Sequence, residues 1–82
     1  MHIHIKYFAS VREALGAGAE HETQVSTLAA LRDELLAQSP AHAAALSRSR
    51  PVRMALDQVM SDESAVLKDG CEVAFFPPVT GG

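Results

Sequence analysis

Strand patterns are strongest at the two ends of the chain. The stretch from His2 to Phe8 alternates cleanly, which predicts a first strand with one buried face. Cys71 to Phe76 is a mostly apolar run and predicts the last strand. Because these two strands are the most apolar, we expect them to be adjacent at the centre of a sheet. Phe8 and Phe76 would then share the face that is turned away from the core.

A run of leucines at helical spacing predicts the one long helix. Ser26 and Thr27 precede this helix, and both are typical N-cap residues. Ser39-Pro40 would end it and begin a short helix that reaches about Leu46. The predicted buried stripe consists of Leu28, Leu31, Leu35 and Leu36. The predicted solvent face consists of Arg32, Asp33, Glu34 and Gln38.

The remaining segments predict short elements. Ala9 to Leu15 is expected to be a helix, with Ser10 as its candidate cap. Weaker strand patterns cover Glu20 to Val25, Val52 to Leu56 and Val59-Met60. The second strand should pair antiparallel with the first, because no long crossover separates them. One long helix among five strands predicts an α+β domain, in which a mixed five-stranded sheet packs one face on the helix.

Composition indicates one folded domain without a charged binding surface. The chain has 82 residues, of which 48% are hydrophobic, and its net charge is −3. These values favour a globular protein and argue against binding to nucleic acid or to a membrane surface. The single Cys71 cannot form an internal disulfide, and the N-terminus lacks the pattern of a signal peptide. We therefore expect a cytoplasmic protein.

No side chain that could catalyse a reaction is apparent from the sequence. His2 and His4 project from one face of the first strand, but a metal site needs three or four ligands. We expect no cysteine or carboxylate to complete such a site, and therefore solvated histidines and no metal. Cys71 is expected to be a small buried hydrophobe rather than a reactive thiol. The remaining candidate is the main-chain carboxylate of Gly82, which would need activation, for instance as an acyl-adenylate, before it could react.

The last eight residues form the most distinctive segment, Phe75-Phe76-Pro77-Pro78-Val79-Thr80-Gly81-Gly82. The two prolines cannot donate to a strand ladder, so the sheet should end there. Two glycines without Cβ atoms could enter a slot too narrow for other residues. Six extended residues would reach roughly 20 Å. We therefore predict a globular domain at 1–76 and an extended tail at 77–82, with an ordinary frayed terminus as the alternative.

This tail resembles that of the small, sulfur-carrier subunits of molybdopterin synthase, a MoaD/ThiS-like family. Asp69-Gly70, Val11-Arg12-Glu13 and the opening strand that ends in Phe8-Ala9 also match. The resemblance implies the ubiquitin-like β-grasp fold, which agrees with the predicted elements. It also implies an adenylyltransferase, similar to ubiquitin-activating enzymes, that consumes ATP to form a transient acyl-adenylate on Gly82. A sulfur donor system would then produce a thiocarboxylate, and no cofactor would be bound permanently.

The same resemblance implies a partner and a contact surface. The tail, Pro77, Pro78, Val79, Thr80, Gly81 and Gly82, would insert into the large synthase subunit. Sulfur would pass there to cyclic pyranopterin monophosphate to make the dithiolene of molybdopterin. The synthase would be a heterotetramer with two subunits of each kind, in which this chain is a non-catalytic carrier. Matching positions place Arg12, Met60 and Phe76 in the partner surface, with Phe8 nearby.

Three other functions remain open from the sequence. Sulfur carriers for thiazole formation or tRNA thiolation also end in Gly-Gly, although the Phe-Phe-Pro-Pro run favours molybdopterin. A ubiquitin-like modifier would use the same activated carboxylate to form isopeptide bonds with lysines. A plain interaction module would carry an inert tail. Deletion of Gly82 distinguishes a carrier from a module, because only a carrier would lose its function while still binding its partner.

Overall fold

A mixed five-stranded sheet and three helices make up residues 1–78, the part of the chain that the computed structural model describes. The predicted α+β class and the predicted β-grasp arrangement are both confirmed. In chain order the elements are β1 (His2–Tyr7), α1 (Ala9–Leu15), β2 (Gly18–Glu22), α2 (Leu28–Leu36), α3 (Pro40–Ala45), β3 (Arg53–Leu56), β4 (Val59–Ser61) and β5 (Glu72–Phe76).

The sheet has the strand order β2-β1-β5-β3-β4, so the first and last strands are adjacent as predicted. β1 and β5 are parallel, and the other three neighbouring pairs are antiparallel. The register of β2 begins at Gly18, which pairs with Lys6. A Cβ atom at Gly18 would lie 2.2 Å from the carbonyl oxygen of Ile5, so this close approach requires glycine.

The core lies between one face of the sheet and α2. Leu28, Leu31 and Leu35 of the helix are buried, as the leucine stripe predicts. They form one cluster with buried strand residues that include Ile3, Ile5, Val73 and Phe75. Cys71 is buried in the same cluster, which confirms its predicted inward position. Within the described residues, no helix is both long enough and apolar enough to cross a membrane.

The helix caps predicted for α1 and α2 have different outcomes. The hydroxyl of Thr27 accepts a hydrogen bond from the backbone N–H of Ala30 at 3.2 Å, which confirms Thr27 as the cap of α2. Ser10 is not the cap of α1, and that prediction is wrong. The cap is Phe8, whose side chain makes no capping hydrogen bond. The backbone N–H of Phe8 instead donates to Phe75 at 3.1 Å, which keeps Phe8 in line with the sheet.

Arg32 is buried, so its predicted place on the solvent face of α2 is wrong. Only 4% of the residue is exposed. Its guanidinium donates from Nε to the carbonyl of Leu46 at 2.8 Å and from Nη2 to the carbonyl of Ser47 at 3.0 Å. Burial lowers the pKa of this guanidinium from its usual value, but an arginine stays charged at any ordinary pH. Arg32 thus joins α2 to the end of α3.

We expect Arg32→Ala to lower the free energy of unfolding by about 2–3 kcal/mol, because the Leu46 and Ser47 carbonyls lose charged hydrogen-bond donors. Urea denaturation monitored by circular dichroism measures this loss. Arg50→Ala is the matched control, because Arg50 is exposed in the loop that follows. Equal losses in the two variants would show that the Arg32 hydrogen bonds contribute little.

Candidate functional site

The sheet face turned away from the core carries a continuous row of side chains. Lys6 pairs with Ala74, Ala74 with Ala55, and Ala55 with Met60. Because paired residues point to the same side, these four side chains cross the sheet from β1 to β4. An ion pair of 3.2 Å between Lys6 and Glu72 borders the row on the β1 side.

Two aromatic residues turn part of this row into an apolar groove of about 480 Å³. Phe8 and Phe76 both line it, which confirms the prediction that they share the open face. Ala55 and Ala74 form its floor and are 7% and 6% exposed, whereas Phe8 is 44% exposed. Among the residues lining this apolar groove are Lys6, Phe8, Ala55, Ala74, Phe76 and Pro77.

The hairpin between β3 and β4 sets the position of Met60. Asp57 and Gln58 have φ angles of 49° and 69°, as the tight turns that connect twisted antiparallel strands require. This turn pairs Leu56 with Val59 and therefore puts Met60 opposite Ala55. Met60 is 57% exposed and extends the row beyond the apolar groove, towards Pro78. It is a large apolar side chain free to contact another protein.

The other predicted contact residues have different locations. Arg12 is exposed on α1 and is linked to the site through its backbone N–H, which donates to the carbonyl of Phe8 at 3.2 Å. Its side chain is not among those lining the apolar groove. Pro77 and Pro78 are half-buried where the chain leaves β5. The predictions for Val79, Thr80, Gly81 and Gly82, including the reactive carboxylate, lie outside the described residues.

A cluster of histidine and glutamate side chains lies on the same sheet face, across β1 and β2. His2 pairs with Glu22, and His4 pairs with Glu20. The expectation that no carboxylate lies beside these histidines is therefore wrong. The error arises from the register of β2, which starts at Gly18 rather than at Glu20 and brings both glutamates opposite the histidines.

Contacts between histidine and glutamate side chains shift the pKa values of His2 and Glu20. The pKa of His2 is raised mainly by its hydrogen bond with Glu20 and, to a smaller extent, by its hydrogen bond with Glu22. Hydrogen bonds from His2 and His4 lower the pKa of Glu20. Both groups are at the protein surface, where water screens the charges, so these pairs add little to the stability of the fold.

Comparison with known proteins identifies relatives whose similarity extends over nearly the whole chain. A family model described as the ThiS family matches residues 5–82. A molybdopterin synthase sulfur carrier subunit from Escherichia coli K12 is 43% identical over 81 residues, covering 98% of this chain and 99% of the relative. Identity at this level over full length indicates common ancestry as well as a common fold.

Solved structures share the same arrangement of strands and helices. One belongs to a complex of subunits 1 and 2 of the molybdopterin-converting factor from Helicobacter pylori, with a TM-score of 0.71, 23% identity and full coverage of both chains. Another is the small archaeal modifier protein 1 of Haloferax volcanii, with a TM-score of 0.74, 22% identity, and coverage of 95% of this chain and 98% of that one. At these identities the likeness establishes the fold alone.

Proposed function

The chain belongs to the ThiS family, and on that premise we propose that it is the sulfur carrier subunit of a molybdopterin synthase. The observation that carries this proposal is the 43% identity with the carrier subunit of Escherichia coli K12 over nearly the full length of both proteins. The family match extends through Gly81 and Gly82, the residues on which a main-chain carrier would depend.

The proposed reactive group is the carboxylate of Gly82. One carboxylate oxygen attacks the α-phosphorus of ATP on a separate adenylyltransferase, and pyrophosphate leaves. A sulfur nucleophile at the oxidation level of sulfide, provided by a donor system, then attacks the carbonyl carbon. AMP leaves, and a thiocarboxylate remains on Gly82. Transfer of this sulfur to cyclic pyranopterin monophosphate and hydrolysis of the acyl–sulfur bond regenerate the carboxylate.

The proposed docking surface for the large synthase subunit is the apolar groove together with Met60. Exposed aromatic and methionine side chains near one another are typical anchors of protein interfaces. Pro77 lines the groove where the chain leaves β5, so a partner seated there would also meet the start of the tail. The complex of the two subunits in Helicobacter pylori supports a partner of this kind. Arg12, exposed one helical turn from Phe8, would contact the edge of such a partner.

Intact-mass spectrometry tests the carrier role directly. The purified chain is incubated with ATP, the adenylyltransferase and a sulfur donor, and analysed without added thiols. We expect a species heavier by one oxygen-to-sulfur exchange, located in the peptide that ends at Gly82. A matched reaction without ATP should contain only the unmodified mass.

The second half of the assay adds the large subunit and cyclic pyranopterin monophosphate. We expect the sulfur to leave the carrier and molybdopterin to form. A chain that becomes a thiocarboxylate but gives no molybdopterin would point to a carrier for thiazole formation or tRNA thiolation. Isopeptide-linked products would point to a modifier. An unmodified mass with an active adenylyltransferase would contradict the carrier role altogether.

A further inference from the structure

The His–Glu cluster, His2, His4, Glu20 and Glu22, has the composition and geometry of a metal site. We propose that it binds one divalent first-row transition-metal ion such as Zn²⁺. The ligands would be Nε2 of His2, Nδ1 of His4 and the carboxylate of Glu20. This site is separate from the proposed sulfur chemistry and does not depend on it.

The three ligand groups already converge. One potential ligand atom from each of His2, His4 and Glu20 lies within 4.8 Å of the other two. Nε2 of His2 is 2.9 Å from Glu20 Oε1, and Nδ1 of His4 is 2.7 Å from the same oxygen. Ligands of a tetrahedral zinc ion are separated by ~3.4 Å, given metal–nitrogen bonds of about 2.0–2.1 Å. Small rotations of exposed side chains are enough to place an ion among them.

Glu22 would not bind the metal itself but would orient the imidazole ring of His2. Its Oε1 lies 2.5 Å from Nδ1 of His2, the ring nitrogen that does not face Glu20. A carboxylate that accepts from one imidazole nitrogen leaves the other free to bind a metal and fixes the ring orientation. Zinc sites commonly contain this arrangement, in which a carboxylate accepts a hydrogen bond from a histidine that binds the metal.

The chemistry of the ligands selects the class of ion. Two imidazoles with one carboxylate suit Zn²⁺, Ni²⁺, Cu²⁺ or Co²⁺, whereas Mg²⁺ and Ca²⁺ prefer oxygen ligands. The cluster is open to solvent, with Glu20 and Glu22 side chains 60% and 74% exposed, so water can complete the coordination. Antiparallel pairing of β1 with β2 holds the backbone of all four residues in register.

Bound metal would link the edge strand β2 to β1. The ion pair between Lys6 and Glu72 lines the apolar groove, and Glu72 pairs with His4 of the cluster on the same sheet face. The open face is thus divided into a polar, metal-binding half and an apolar half. Since the ion binds the folded chain, saturating metal should raise the melting temperature.

Calorimetric titration of the full chain with zinc chloride, in a buffer that does not bind metal, tests the site. We expect one ion per chain, and a rise of about tenfold or more in the dissociation constant for His4→Gln and for Glu20→Gln, because each removes a ligand. Glu22→Gln should weaken binding less. His42→Gln is the matched control and should bind as the wild type does, because His42 lies on α3, hydrogen-bonded to Ser39.

Amide chemical shifts measured during the same titration locate the ion. We expect the largest changes at residues 2–4 and 20–22. Equal zinc affinity in the wild type, His4→Gln and Glu20→Gln would overturn the proposal and assign the ion to another site. Absence of binding at millimolar zinc would also overturn it. Circular dichroism of each variant verifies that it is folded before its affinity is compared.

Discussion

Deletion of Gly82 is expected to abolish sulfur transfer while leaving the affinity for the large synthase subunit nearly unchanged. Without Gly82 the terminal carboxylate would lie about 3.5 Å short of its position in the full-length chain, which is the length of one extended residue. Misplacement of a reacting group by even 1 Å can cost about 10²-fold in rate, so we expect no molybdopterin above background. The apolar groove and Met60, which we propose as the docking surface, consist of residues up to Pro77 and do not include the deleted residue, so we expect them to remain intact.

Two measurements separate loss of chemistry from loss of binding. Molybdopterin formation is followed with the activated carrier, and the affinity for the large subunit is measured by calorimetry. Gly82→Ala is the matched control, because it preserves the length of the chain and adds one methyl group. We expect it to lose less activity than the deletion. A deletion variant that still transfers sulfur would contradict the proposed role of Gly82, and the interaction-module hypothesis would gain support.

Met60→Asp is expected to weaken binding of the large subunit by about 30-fold or more, which corresponds to the ~2 kcal/mol typical of an interface hot spot. The substitution would place a charge without a partner in an apolar contact, and burial of such a charge is costly. The variant should fold, because Met60 is 57% exposed in the free chain. Calorimetric titration with the large subunit measures the change.

Val59→Asp provides the control for the Met60 variant. Val59 is on the same strand and is 65% exposed, but it pairs with Leu56 and so faces the opposite side of the sheet. It receives the same charge on the same strand, without touching the proposed docking surface. Similar affinities in the two variants would argue that the partner does not bind this face.

Much of the fold could be predicted because three segments have strong apolar patterns. β1 alternates, α2 has leucines at 28, 31 and 35, and β5 is a short, mostly apolar run. The period of two in strands placed Phe8 and Phe76 on the open face. Ala55 and Ala74, which form the floor of the apolar groove, were not predicted as part of the site. Small apolar residues in strands are equally typical of the core. Only the register between β3 and β5 shows that these two alanines are aligned beneath the two aromatic rings.

The features that sequence reasoning missed depend on contacts between distant segments. Arg32 looks like a solvent residue by helical phase, but the carbonyls of Leu46 and Ser47 bind it 14 and 15 residues later. Glu20 and the histidines of β1 meet through a register that is fixed by the tight approach at Gly18. Gly18, two residues before the predicted start of β2 at Glu20, was the available signal for that register.

The position of β5 between β1 and β3 also has a consequence for synthesis of the protein. β5 is the last strand of the described residues, yet it connects the β2-β1 pair to the β3-β4 pair. A nascent chain or a truncated fragment that stops before residue 72 lacks the strand that joins the two pairs into one sheet. Completion of the sheet therefore requires synthesis through residue 76. Every molecule that reaches the native state has passed that point in translation.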